Sequence, residues 1–164
     1  MRSLFLAALF VATVPLQSQS AMAQPTVIVV RHGQKLDNSP DPVLSPQGEA
    51  QAARLANMLA ATGITAIYTT QFKRTIMLAA PTAKRLGITP VSVPAKETES
   101  LLARIRTHGK GEVVLVVGHS NTVPAILTGL GHAALVTVAE EEFDNLFIVA
   151  MQASGPPAVV RLKY

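Results

Sequence analysis

Two segments constrain this chain more than any others. Val27-Ile28-Val29-Val30 and Val113-Val114-Leu115-Val116-Val117 are uninterrupted β-branched and aliphatic runs. A strand with one face in water alternates apolar and polar side chains, because successive residues point to opposite faces. These two runs offer no polar face, so each belongs in a strand covered on both sides. That is the signature of a mainly parallel sheet with helices packed above and below it.

The intervening sequence supplies what such a sheet needs. After a loop from Arg31 to Leu44, Ser45-Pro46 reads as an N-cap with proline in the first turn. Leu55, Met58 and Leu59 give the following helix an apolar stripe, with Gly63 as its stop. A second strand over Thr65–Thr69 precedes a helix over Phe72–Leu86, whose Ile76, Ala79, Ala80 and Ala83 recur at helical spacing. A short strand over Val91–Val93, a helix over Thr98–Thr107 and a short helix over Asn121–Leu130 follow. Late strands at Leu146–Met151 and Val159–Leu162 are expected towards the sheet edge. No repeat or low-complexity tract divides residues 24–164, which read as one domain.

In an open α/β sheet, ligands lie outside the carboxyl ends of the strands. The residues there are Arg31-His32-Gly33, Gln71-Phe72-Lys73-Arg74-Thr75, Lys96-Glu97-Thr98-Glu99 and Gly118-His119-Ser120-Asn121. Two arginines, two histidines and a carboxylate therefore converge on one rim. Guanidiniums fork onto phosphate or carboxylate oxygens. An oriented histidine can attack phosphorus and carry the phosphoryl group. A second, protonated histidine offsets charge on the equatorial oxygens, and a carboxylic acid can protonate the leaving alkoxide.

Composition narrows the alternatives. With no cysteine, the chain has no disulfide framework, thiolate zinc site or cysteine nucleophile. No tryptophan, 2 tyrosines and 5 phenylalanines leave little for a base-stacking surface, so no nucleic-acid partner is expected. The net charge of +4 suits an anionic ligand. No metal is expected: there is no i, i+4 histidine pair, and two arginines in one pocket repel a cation. Ser120 does not sit in a nucleophile elbow, since Thr122 stands where that turn needs glycine. Glu140-Glu141-Glu142 reads as a solvated acidic turn, His108 and His132 as solvent-facing, and Asp144 as a structural hydrogen-bonding group or a pocket residue.

Val30-Arg31-His32-Gly33, Arg74 and Gly118-His119-Ser120, each at its own strand end, resemble the histidine phosphatase superfamily, the phosphoglycerate mutase-like proteins. The resemblance spans Thr26 to about Met151. It implies a three-layer α/β/α sandwich, His32 as nucleophile, and a phosphate pocket of Arg31, Arg74 and His119. Asn38, seven residues after Arg31, matches a phosphate-contacting asparagine of mutase-like members. The interval Thr89–Val113 holds one strand and one helix, so the chain resembles small members without a cap insertion. No cofactor is implied, and the expected partner is a phosphorylated small molecule or phosphoprotein.

The proton donor has no clear motif. Glu97 is favoured because it begins the third helix near the strand ends, with Glu99 and Asp37 as competitors. The first residues have their own pattern: a basic Met1-Arg2, an apolar Leu4–Leu16 stretch and Ala21-Met22-Ala23 before Gln24. That is a secretory signal with cleavage after Ala23, too short in its apolar part to span a bilayer. The expected product is a periplasmic or secreted phosphomonoesterase without stable membrane anchoring. The competing reading is a catalytically weak member that binds a phosphorylated ligand.

Overall fold

The computed structural model describes residues 24–164, and the expected signal over 1–23 lies outside the described residues. The elements in chain order are β1 (Thr26–Arg31), α1 (Pro46–Met58), β2 (Ile64–Thr69), α2 (Lys73–Leu86), β3 (Val91–Ser92), α3 (Thr98–Ile105), β4 (Val113–Gly118), α4 (Thr122–Gly129), β5 (Asn145–Ala150) and β6 (Ala158–Lys163). The strands form one sheet in the order β3-β2-β4-β1-β5-β6. β1, β2, β3 and β4 run parallel, while β5 and β6 are antiparallel additions.

The two apolar runs are neighbours in the middle of this sheet, paired from Thr26 with Val113 to Arg31 with Gly118. Their alternate residues separate into two cores. Val27, Val29, Val114 and Val116 pack with Leu102, Ile105, Ile126 and Leu127 of α3 and α4. Ile28, Val30, Leu115 and Val117 pack with Leu55 of α1 and Leu78 of α2. Each fully buried aliphatic side chain contributes about 1.5–3 kcal/mol by leaving water, so both strand faces are strongly committed. The result is the α/β/α sandwich, with the last residues of β1 and β4 side by side at one end.

One detail departs from the local reading. α1 stops at Met58 and Gly63, with φ 71, closes the turn that follows instead of capping the helix directly. The two late strands lie towards one edge as expected, β5 pairing with β1 over five residues and β6 outermost on that side. The buried Leu146, Phe147 and Val149 of β5 serve both cores, which explains its apolar composition.

The turn after β1 is held by close packing against α1. A side chain at Gly33 would meet the Gly48 carbonyl at 3.1 Å, and one at Gly48 would meet the Gln34 carbonyl at 2.3 Å. Gly48 is required for this approach of loop to helix, and at Gly33 a side chain would fit only if its neighbours gave way by a few tenths of an ångström. The buried Gln51 then accepts a 2.8 Å bond from the Gln34 amide. Ser45 caps α1 by accepting from the Gly48 amide at 3.1 Å. His32 thus sits on a turn fixed at both ends.

Candidate active site

The strand-end rule delivers Arg31 and His32 from β1, Arg74 from the first turn of α2, and His119 from the turn after β4. All four line one cleft of about 360 Å³, together with Lys35, Phe72, Ser120, Asn121 and Glu140. The His32 and His119 ring centroids are 5.2 Å apart. Arg31 and Arg74 flank this pair, each stacked on a phenylalanine: their guanidinium carbons lie 4.3 Å from the ring centres of Phe143 and Phe72 respectively.

His32 is held by two backbone carbonyls. Its amide donates to the Gly118 carbonyl at 2.9 Å, tying the turn to β4. Its Nδ1 lies 2.8 Å from the Gly33 carbonyl. A carbonyl oxygen can only accept, so Nδ1 carries the proton and the Nε2 lone pair is free. Burial pushes the His32 pKa down to about 3, and His119, Arg31 and Arg74 push in the same direction against the Gly33 hydrogen bond. The imidazole is therefore neutral at physiological pH. His119 is likewise lowered, to about 4, by burial first and then by Arg74 and Arg31.

The two arginines are held differently. Arg31, 2% exposed, donates Nη1 to the Ala139 carbonyl at 2.6 Å and the Glu142 carbonyl at 3.3 Å, and Nη2 to Glu140 at 2.9 Å. Arg74 lies 3.3 Å from His119 Nδ1 through Nη2 and 4.0 Å from Asp41 through Nη1. The Nε atoms of both arginines are buried without an acceptor among the described residues. Unpaired buried donors on two cations fit an anion with several oxygens.

The other expected residues do not enter this cleft. Glu97 is exposed and lines a separate cavity of about 20 Å³ beside Tyr68 and Leu101. Ala95, held by Gln71 through a 2.9 Å bond to its amide, is the cleft residue of that segment. The chain then turns into α3 two residues too late to aim Glu97 at His32. Glu99 is exposed on α3. Asp37 is exposed and accepts from the Ser39 amide at 2.8 Å. Asn38 accepts from Lys35 at 3.3 Å, and it is Ser39, Pro40 and Pro42 that line the cleft. Asp144 accepts from Lys163 at 2.8 Å and lines a different depression with Arg54 and Tyr164.

Glu140 is the carboxylate that local reading missed. Besides Arg31 it accepts a 2.6 Å bond from Ser120, and these contacts hold its carboxyl below the usual range. The acidic turn is solvated, with the Glu140 side chain 72% exposed, yet it supplies a cleft residue. The signal was Arg31 itself, since a buried guanidinium at the end of an apolar strand must find acceptors. His108 also differs from expectation. Its side chain is 16% exposed and bridges the Tyr68 hydroxyl and Glu112, each at 3.0 Å. His132 is half-buried in a separate depression with Leu135 and Arg161.

Among the described residues, no group of three or more histidine, aspartate or glutamate side chains is placed to hold a metal ion. Nor is any described helix long and apolar enough to cross a membrane.

Residues 27–102 match the family model of the histidine phosphatase superfamily (branch 1). No curated protein matches the chain. Several solved structures do. The protein histidine phosphatase SixA complexed with tungstate superposes with a TM-score of 0.68 at 18% identity, covering 84% of this chain and 96% of that one. SixA from Agrobacterium tumefaciens, described as a phosphohistidine phosphatase, gives 0.67 at 19%, covering 85% and 98%. The mycobacterial glucosyl-3-phosphoglycerate phosphatase Rv2419c gives 0.64 at 13%, covering 85% and 98%. At such identities these likenesses show a shared fold. With the strand-end Arg31-His32-Gly33 inside the matched segment, residues 27–102 resemble the histidine phosphatase superfamily in sequence, and the rest of the chain shares the fold of these structures.

Proposed function

We propose that this chain is an exported phosphatase that works through a phosphohistidine on His32. The observation that carries this reading is the pairing of a free, neutral Nε2 on His32 with two guanidiniums whose buried Nε atoms lack acceptors. The Nε2 lone pair attacks phosphorus, the P–N bond forms, and the bond to the leaving group breaks. Water then attacks the phosphohistidine, the P–N bond breaks, and phosphate leaves with His32 again neutral. Arg31, Arg74 and His119 stabilise the charge on the transferring oxygens. The side chains supply the electrostatics without a metal, and export rests on the signal pattern of 1–23 with cleavage after Ala23.

The cleft also bears on the substrate. Glu97, Glu99 and Asp37 lie outside it, and Glu140 is held ionised by Ser120 and Arg31. A leaving alkoxide requires a positioned acid, worth about 10²–10⁴ in rate, whereas a phosphoimidazole protonated by solvent on its other ring nitrogen releases a neutral imidazole without one. The preferred substrate is thus a phosphorylated imidazole side chain, in keeping with the name of one structural neighbour, the protein histidine phosphatase SixA.

Rapid-quench assays of the purified protein with a phosphohistidine peptide and with an alkyl phosphate test both points. Stoichiometric, acid-labile labelling followed by steady turnover on the peptide is expected, lost in His32→Ala and unaffected by EDTA. Labelling that survives His32→Ala overturns the mechanism. Binding of the phosphopeptide without turnover establishes the weak, ligand-binding reading instead. Faster turnover of the alkyl phosphate overturns the substrate assignment alone. A Gram-negative host that leaves unprocessed protein in its membranes overturns export.

A further inference from the structure

His119 has both ring nitrogens engaged, and its partners fix which one carries the proton. Nδ1 faces Arg74 Nη2 at 3.3 Å, and a guanidinium has no acceptor, so Nδ1 must present its lone pair. In the neutral ring the proton is then on Nε2. That nitrogen lies 3.0 Å from the Thr70 hydroxyl, which accepts it. The Thr70 hydroxyl lies 2.9 Å from Thr75 Oγ1 and passes its own proton there. Thr75 in turn donates to the Phe72 carbonyl at 2.8 Å and accepts from the Thr70 amide at 3.2 Å. Every proton in the chain from ring to carbonyl has one direction, and Thr70, Thr75 and His119 are all buried.

We propose that Thr70, backed by Thr75, is a positioning residue that fixes His119 as its Nε2–H tautomer and keeps the Nδ1 lone pair towards Arg74, so that Nδ1 takes up a proton when a bound anion draws Arg74 away from it. The inference rests on the phosphatase reading for its purpose, but the tautomer itself does not depend on it. An acceptor on Nε2–H favours the imidazolium, because the bond strengthens with charge. Facing that ring are His32 and Arg31 from the β1 end and Arg74 from α2; burial first, then Arg74 and Arg31, oppose its protonation. The nearby carboxylates are committed elsewhere, Glu140 to Arg31 and Ser120, Asp41 to the Lys73 amide. A dianion in the cleft is what makes the proton on Nδ1 favourable, and Thr70 determines where on the pH scale this occurs.

The test is ¹⁵N NMR of the His119 ring, assigned with His119→Gln, alongside inorganic phosphate binding from pH 5 to 9. Wild type should show the Nε2–H tautomer without phosphate, and Thr70→Ser should keep it. Thr70→Val should lose tautomer selection and bind phosphate about tenfold or more weakly, as for a lost bond to a charged group. The pH above which binding fades should move down in Thr70→Val and stay in place in Thr70→Ser. A wild-type Nδ1–H tautomer, or a Thr70→Val protein with unchanged tautomer and pH limb, overturns the proposal. If Thr70→Val does not fold, the wild-type and Thr70→Ser spectra still decide it. Failure of phosphate to bind wild type overturns the function while leaving the tautomer assignment standing or falling on the spectra.

Discussion

The two sides of the cleft each offer an arginine stacked on a phenylalanine, but they are built differently. On the β1 side, Arg31 spends both terminal nitrogens on the segment 139–142, accepting two backbone carbonyls and a carboxylate as partners. On the other side, Arg74 contacts a histidine and a distant aspartate, with no backbone carbonyl among its described partners. A guanidinium that satisfies backbone carbonyls holds a loop in place as well as waiting for a ligand. One that rests on a ring face and a histidine is free to commit its donors to the anion. The difference separates a cation shared between fold and chemistry from one given over to chemistry.

The sharpest way to break this contrast is kinetic. Arg74→Ala should lower kcat by about 10²–10³, the typical cost of one donor to a developing anion. Its melting temperature should stay close to wild type, and Arg74→Lys should not restore rate because an ammonium cannot fork onto two oxygens. Near-wild-type turnover in Arg74→Lys would remove Arg74 from the transition state. Arg31→Ala should lose as much rate and also destabilise the fold, because two carbonyls and a carboxylate lose a buried partner. Ala139 and Glu140 are exposed and can turn to water, so the net loss is that of a few ordinary hydrogen bonds, about 1–2 kcal/mol in urea titrations. Equal stability in the two alanine variants would erase the distinction.

Acid should expose what the two sides have in common. The His32 and His119 pKa values, about 3 and about 4, lie below that of a free imidazole, chiefly through burial. Below about pH 6.5 the unfolded chain therefore binds protons that the folded chain refuses, and stability falls with pH. The loss should run from about pH 6.5 down to the folded values and then level off for these groups. Urea midpoints in His32→Gln/His119→Gln should fall less steeply over that window than wild type. An equally steep fall would assign the acid sensitivity to other groups.

How much of this was legible beforehand follows from the physics of each residue. Val27–Val30 and Val113–Val117 declare strands buried on both faces, because nothing polar alternates in them. Their ends then name Arg31, His32 and His119 by position alone, and the structure places them together with Arg74 in one cleft. Glu97 was out of reach of such reasoning. Its direction depends on where the Pro94–Lys96 turn leaves the sheet, a matter of Gln71 holding the Ala95 amide. The pairing of β5 with β1 was equally hidden, since an apolar strand does not name its neighbour. Thr70 and Thr75 carried no local signal either, because a threonine hydroxyl acquires a role only from the groups that tertiary packing brings to it.

The smallest effect concerns Glu140, which bonds to Arg31 on the β1 side of the cleft at 2.9 Å, where Arg74 has only the looser Asp41 at 4.0 Å. The Glu140 carboxylate is kept ionised by Ser120 and Arg31. An incoming phosphate must compete with that carboxylate for Arg31 and face its charge. Because the Glu140 side chain is 72% exposed, water and salt screen most of the repulsion. An exposed ion pair of this kind is worth about 0–1 kcal/mol, so removing the charge should matter by no more than about fivefold. Glu140→Gln keeps one acceptor oxygen, for Arg31 or for Ser120 but not for both, while losing the charge. It should bind inorganic phosphate about two- to fivefold more tightly at low ionic strength, with the gain shrinking as salt is added. Tighter binding of that size, read by calorimetry, makes Glu140 a competitor for the arginine that holds its own loop. Tenfold weaker binding would instead make Glu140 the group that aims Arg31 at the anion, and the β1 side of the cleft would then depend on its carboxylate.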